Sequence, residues 1–237
     1  MEKIKIAMDL EIITSERRDI KQLIGKLLNR KDLFELYVAN DTRPIYGSDF
    51  KYATEKIYKE MSLYLSTSKG IVSAFNRIGV PSCYIDTLGK VEKREVDKEN
   101  EVITFAFDCD CVLFDNEAET VYKEYGLEAF EKYEWEHSKK ELNKGPFYSL
   151  LEQLNNIKKE GEIGIKIVAC TARSYPADAR ALYTFDRWGI DFDMIFFCGG
   201  SNKGQILARI GADIMFDDTI KNIEDAMNNG VLAGEVI

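Results

Sequence analysis

The stretch "ITFAFDCDCVLFDNEAE", residues 103–119, decides how this chain is read. An apolar, β-rich run ends abruptly in Asp108 and Asp110, with Cys109 and Cys111 interleaved. A run without polar alternation reads as a strand buried on both faces, the pattern of a parallel sheet. Three readings of the two acids are open at this point. They are a polar turn, a metal-binding C-x-C pair completed elsewhere, or two carboxylates that divide a reaction, one attacking and the other carrying a proton.

Downstream, the apolar runs "IKIVAC", "DMIFF", "ADIMF" and "VLAGEVI" alternate with amphipathic stretches. In "FYSLLEQLNNIKK", Leu150, Leu151, Leu154 and Ile157 recur at helix spacing. Three of the predicted helices run into Gly189, Gly211 and Gly230, as helix C-termini commonly do. Strands alternating with helices predict an α/β fold, a Rossmann-like parallel sheet with helices on both faces. Right-handed crossovers then bring the carboxyl ends of these strands to one edge, where such sheets bind ligands.

The first hundred residues are patterned less clearly. "KIKIAMDLEII" reads as a strand, residues 16–30 as an amphipathic helix, and "FELYVA" and "SCYIDTL" as further strands. Residues 51–79 read as one or two helices. The charged run 90–101, "KVEKREVDKENE", offers no apolar face and reads as a solvated linker or an exposed hairpin. It divides an N-terminal α/β accessory segment, 1–98, a lid or assembly region, from a second unit, 99–237.

Composition narrows the function classes. The chain has 237 residues and a net charge of -9, which disfavours a nucleic-acid backbone as partner. A small anion needs only a few local donors, so a phosphate ester stays admissible. The five cysteines are an odd number and mostly lie in apolar runs, as in a reduced cytoplasmic protein. The opening residues carry no signal-peptide pattern, and no window reaches the ~18 apolar residues of a membrane span, so a cytoplasmic, membrane-free protein is expected. His137 is the single histidine and sits in a charged, helix-like stretch, so the C-x-C pair lacks partners for a structural zinc.

The other strand ends complete the reading. Thr171 in "CTARS" offers a hydroxyl and backbone N–H groups that suit an anion. Lys203 follows "CGGSN" at a helix start, where a positive charge is unfavourable unless it serves a ligand. Asp217 and Asp218 in "IMFDDT" repel each other unless a cation sits beside them. Phe114, Phe147, Trp135 and Trp188 could stack on a flat ligand ring, but aromatics at such positions are more often core, and only Phe114, just past the turn, is taken as a candidate. Arg173 either clamps a ligand or pairs with Glu117 or Glu119 as scaffolding.

Taken in order, "FDCDCVLF", "CTARS", "GGSNKG" and "FDDT" resemble the four motifs of the haloacid-dehalogenase-like phosphatases. With "KGPFYSLLEQL", "TARSYPADARALYTFDRWGIDFDMIFFCGG" and "KGQILARIGADIMFDD", the chain is most similar to the cytosolic 5′-nucleotidase type I family. The resemblance covers residues 102 to about 230 and implies a haloacid-dehalogenase-like core with a small helical cap insertion around 119–146. It implies Mg²⁺-dependent hydrolysis of nucleoside 5′-monophosphates, or of another small phosphorylated metabolite. Asp108 would be the nucleophile and Asp110 the acid and base. Thr171, Ala172, Arg173, Lys203 and Phe114 would hold the substrate, while Asp108, Asp110 through its carbonyl, Asp217 and Asp218 would hold the metal. A nucleotide binder with negligible turnover is the other class, and a homo-oligomer is compatible with either. The chain departs from the family's usual wording at Cys109, Cys111 and Thr219 and through its N-terminal third. Cys109, between nucleophile and acid, would expose the site to oxidation.

Overall fold

A computed structural model describes residues 2–39, 49–89, 91 and 101–237. The charged run read as a linker therefore lies almost wholly outside the described residues. The first half contains β1 (Ile4–Asp9), α1 (Leu10–Ile13), α2 (Arg18–Asn29), β2 (Phe34–Ala39), β3 (Phe50–Tyr52), α3 (Glu55–Tyr58), β4 (Leu63–Ser66), α4 (Lys69–Arg77) and β5 (Ser82–Tyr84). The second contains β6 (Ile103–Phe107), α5 (Glu117–Glu136), α6 (Tyr148–Lys159), β7 (Ile165–Thr171), α7 (Asp178–Trp188), β8 (Met194–Phe197), α8 (Gly204–Arg209), β9 (Ile214–Asp217), α9 (Ile220–Asn228) and β10 (Leu232–Glu235).

The strands form one ten-stranded sheet in the order β3-β2-β1-β4-β5-β10-β9-β6-β7-β8. The α/β fold expected from the alternation is present, and every pairing is parallel except that of β5 with β10. That exception reverses the polarity of the sheet at its middle. The carboxyl ends of β6 to β10 share one edge, while those of β1 to β5 point to the opposite one.

Burial explains the central strands. All five residues of "ITFAF" in β6 and all four of "IMFD" in β9 are buried, as befits strands covered on both faces. In α6, Leu150, Leu151, Leu154 and Ile157 form the buried stripe the periodicity predicts. Gly189 ends α7 in the left-handed conformation, with φ 62° and ψ 38°, which a side chain would disfavour. One expectation fails in the first half. The region read as helical contains β3 and β4, and the four residues of "LYLS" in β4 are all buried in the sheet.

One face of the sheet carries a continuous apolar core that crosses both halves. It runs from Ile4, Ile6 and Met8 of β1 through Leu23 and Leu27 of α2 to Phe105, Phe107 and Leu151. Polar ties join the halves along the same face. Lys26 of α2 donates to the Val102 carbonyl at 2.8 Å and pairs with the buried Asp213 at 2.9 Å, and Arg30 meets Glu162 at 2.7 Å.

Candidate active site

Four strand ends of the second half converge on the same edge. Asp108 leaves β6 in an extended conformation, and its Oδ1 accepts a 2.7 Å hydrogen bond from the Cys109 amide. The chain then turns tightly through Cys109–Leu113. Cys111 adopts a positive φ of 61°, an uncommon conformation for a non-glycine residue of the kind that accumulates at functional sites. Gly145 props this turn, donating to the Leu113 carbonyl at 2.7 Å. A Cβ at that position would lie 2.3 Å from the Phe114 carbonyl oxygen and 2.5 Å from that of Val112, so only glycine fits.

Lys203 is the hub. Its ammonium is 1% exposed and lies 2.9 Å from Asp108 Oδ1 and 2.7 Å from Asp217 Oδ2. Burial opposes the charge, yet the Asp108 and Asp217 carboxylates outweigh it and hold the Lys203 pKa above its ordinary value. Asp217 is completely buried and accepts further bonds from the Thr219 amide at 2.9 Å and from Asn222 at 3.1 Å. Asn222 was not among the residues the sequence singled out. Its signal was its place in the first turn of α9, five residues past Asp217.

Asp108, Asp217 and Asp218 each offer a carboxylate oxygen within 4.8 Å of the others. Burial and crowding show in the acidities of Asp108 and Asp218. Burial pushes the Asp108 carboxyl up to about 8, with Lys203 opposing and Asp217 and Asp110 adding to the rise. Asp218 is also raised, first by burial and then by the Asp217 charge. An all-oxygen donor set with excess negative charge suits a hard divalent cation.

Thr171 ends β7, is fully buried, and accepts the Arg173 amide at 3.1 Å on Oγ1. Ala172 beside it is exposed. Arg173 pairs with neither Glu117 nor Glu119. Its Nε and Nη2 grip both oxygens of Asp110, at 2.9 and 2.7 Å, and Nη1 reaches the buried Glu134 of α5. The Asp110 carboxylate is thus turned towards Arg173 and is not part of the three-acid cluster.

Two expectations need correction. Phe114 is 0% exposed and packs on Phe185 and Trp188 at 5.2 and 5.6 Å between ring centroids, so it faces the core and not a nucleobase. Cys109 is likewise fully enclosed, and burial raises its thiol well above the ordinary value. A buried, protonated thiol is inert. Phe147 and Trp188 also belong to the core or its margin, whereas Trp135 is half-exposed and lies 6.2 Å from the exposed Tyr175.

Comparison with known proteins agrees with this geometry. Over 136 residues, or 54% of its length, the chain is 36% identical to human cytosolic 5′-nucleotidase 1B, of which it covers 22%. It therefore spans about a fifth of that relative's length. The 5′-nucleotidase family model matches residues 49–237, which takes in every residue of the four strand ends, and the chain belongs to that family.

Proposed function

We propose that this protein is a magnesium-dependent phosphomonoesterase that hydrolyses nucleoside 5′-monophosphates through a phosphorylated Asp108. The supporting observation is the convergence of Asp108, Thr171, Lys203 and Asp217 on one sheet edge, where Asp218 joins Asp108 and Asp217 in a cluster of three carboxylates. Asp108, Asp217 and Asp218 would hold Mg²⁺ together with the Asp110 carbonyl. Bound there, the cation would offset the charge of the phosphate and let the anionic nucleophile approach it.

The protein's own groups carry the steps. An Asp108 oxygen attacks phosphorus while the ester bond to the nucleoside oxygen breaks, and Asp110 gives that oxygen its proton. A water molecule, deprotonated by Asp110, then attacks the phosphoryl group on Asp108 and releases phosphate. Thr171, the backbone around Ala172, and Lys203 stabilise the phosphoryl oxygens as charge develops. Arg173 acts on Asp110. Residues 99–237 are the catalytic unit in this reading, with 119–146 as its cap and 1–98 as an accessory segment. The relative's name places that protein in the cytosol, and we assign the same compartment here. Among the described residues, no helix is long and apolar enough to cross a membrane.

The test is phosphate release from a panel of nucleoside monophosphates and other phosphorylated metabolites, with and without Mg²⁺. Hydrolysis is expected with the metal only, and Asp108→Asn should abolish it. Full activity in that variant would refute the mechanism, and a preference for non-nucleotide esters would refute the substrate class.

A further inference from the structure

Glu134 is completely buried in a stretch of α5 rich in charged residues. Burying a carboxylate is costly unless its charge and lone pairs are matched. Both oxygens of Glu134 are engaged. Arg173 Nη1 donates to Oε2, and Arg180 Nη1 donates to Oε1 at 2.8 Å. Arg180 is itself fully buried, and its remaining donors go to the Lys140 carbonyl at 3.0 Å and to Glu117 at 3.2 Å.

These contacts leave the Arg173 guanidinium one orientation. Nη1 also donates to the Ala177 carbonyl at 3.0 Å, and the rings of Phe114 and Phe130 lie 5.4 Å from its central carbon. With that end held, the Nε and Nη2 edge faces Asp110 as a two-pronged clamp. A carboxylate has about four lone-pair positions, so the clamp uses two and leaves two for a leaving oxygen or a water.

We infer that Glu134 is a positioning residue for the reaction: it fixes Arg173, and through Arg173 it sets where the Asp110 carboxylate stands. Glu134 lies in the segment of α5 beyond Gly126, where the helix breaks at φ 83°, so the residue belongs to the cap and not to the sheet. The cap thereby reaches the catalytic acid through a chain of buried charges. This inference rests on the phosphomonoesterase reading.

The test uses two phosphate esters on the full chain. A nucleoside monophosphate needs its leaving oxygen protonated, whereas p-nitrophenyl phosphate releases a stable anion unaided. Glu134→Gln is expected to lower kcat on the nucleotide about 10- to 100-fold with KM unchanged, the range for loss of a group that orients a reacting one. The variant should still show a burst of nitrophenolate, one per active site, because that step needs no proton from Asp110. An unchanged kcat overturns the inference, and so does loss of the burst together with kcat, which would mean general damage to the site. If the unmodified protein hydrolyses neither ester, the parent reading has failed instead. Should Glu134→Gln not fold by circular dichroism, Arg180→Lys loosens the other grip on Glu134, and the same two outcomes decide.

Discussion

Replacing Lys203 by methionine keeps an unbranched, flexible side chain, one atom shorter, and removes the charge and its donors. In the structure that charge is the sole cation within hydrogen-bonding reach of Asp108 and Asp217 among the described residues, at 2.9 and 2.7 Å, and it is almost wholly buried. Removing one partner from a buried ion pair typically costs about 3–5 kcal/mol, because the other charge is left uncompensated. For a chain of this size about 1 kcal/mol shifts the midpoint by roughly 2–4 °C, so the metal-free variant should melt about 6–20 °C lower. Thermal unfolding followed by circular dichroism measures this. Added Mg²⁺ is expected to restore much of the lost stability, since a divalent cation at the three acids replaces the missing charge and binds only the folded state. It should not restore turnover, because the donor we propose for the phosphoryl group is still missing, a loss worth about 3–4 kcal/mol in comparable sites. A metal-free midpoint equal to that of the unmodified protein would refute the reasoning. It would show that the ammonium is not confined between those carboxylates.

Two further outcomes follow from local geometry. Gly145→Ala should destabilise the protein by about 1–3 kcal/mol or more in urea titration, because its Cβ meets the carbonyls of Val112 and Phe114, backbone that cannot swing aside. Cys198 should be the first thiol alkylated by iodoacetamide, well ahead of the fully buried Cys83, Cys109 and Cys170, read by peptide mass spectrometry. A hydrogen bond with Cys170, their sulfurs 3.6 Å apart, draws the Cys198 thiol below its ordinary value. Thiolate is the reactive form, so Cys198 labelling should reach its plateau at lower pH than labelling of an ordinary thiol.

The strand ends could be read from sequence because each is a local event, an apolar run stopping at a polar residue. β6 and β9 are buried on both faces and therefore carry no alternation to mislead. β4 was missed because a short buried run such as Leu63, Tyr64 and Leu65 among helical spacings looks alike in either state until a neighbouring strand claims it. The polarity reversal at β5 and β10 rests on one register pair, Tyr84 with Glu235, and no local pattern specifies it. Glu134 escaped for a related reason. Its surroundings, "EKYEWEHSKK", look like a solvated helix face, and its burial is decided by Arg173 and Arg180, both distant in sequence. Phe114 and Cys109 were placed at the mouth because they adjoin the acids. A turn that starts at Asp108 points its apolar members inward while leaving the carboxylates at the edge.

The reversed seam gives the sheet two mouths that face away from each other. At the far one, the ends of β1 and β4 bring Asp9 against Tyr64 and Ser66, each hydroxyl donating at 2.7 Å, with the Thr67 amide donating at 2.7 Å as well. Those bonds knit the strand ends together and leave the carboxylate without an obligation to phosphate chemistry. Between the mouths stands the length of a strand, about 17 Å for the five residues of β6. Solid core separates the two mouths, so a substitution around Asp9 should leave the geometry around Asp108 undisturbed.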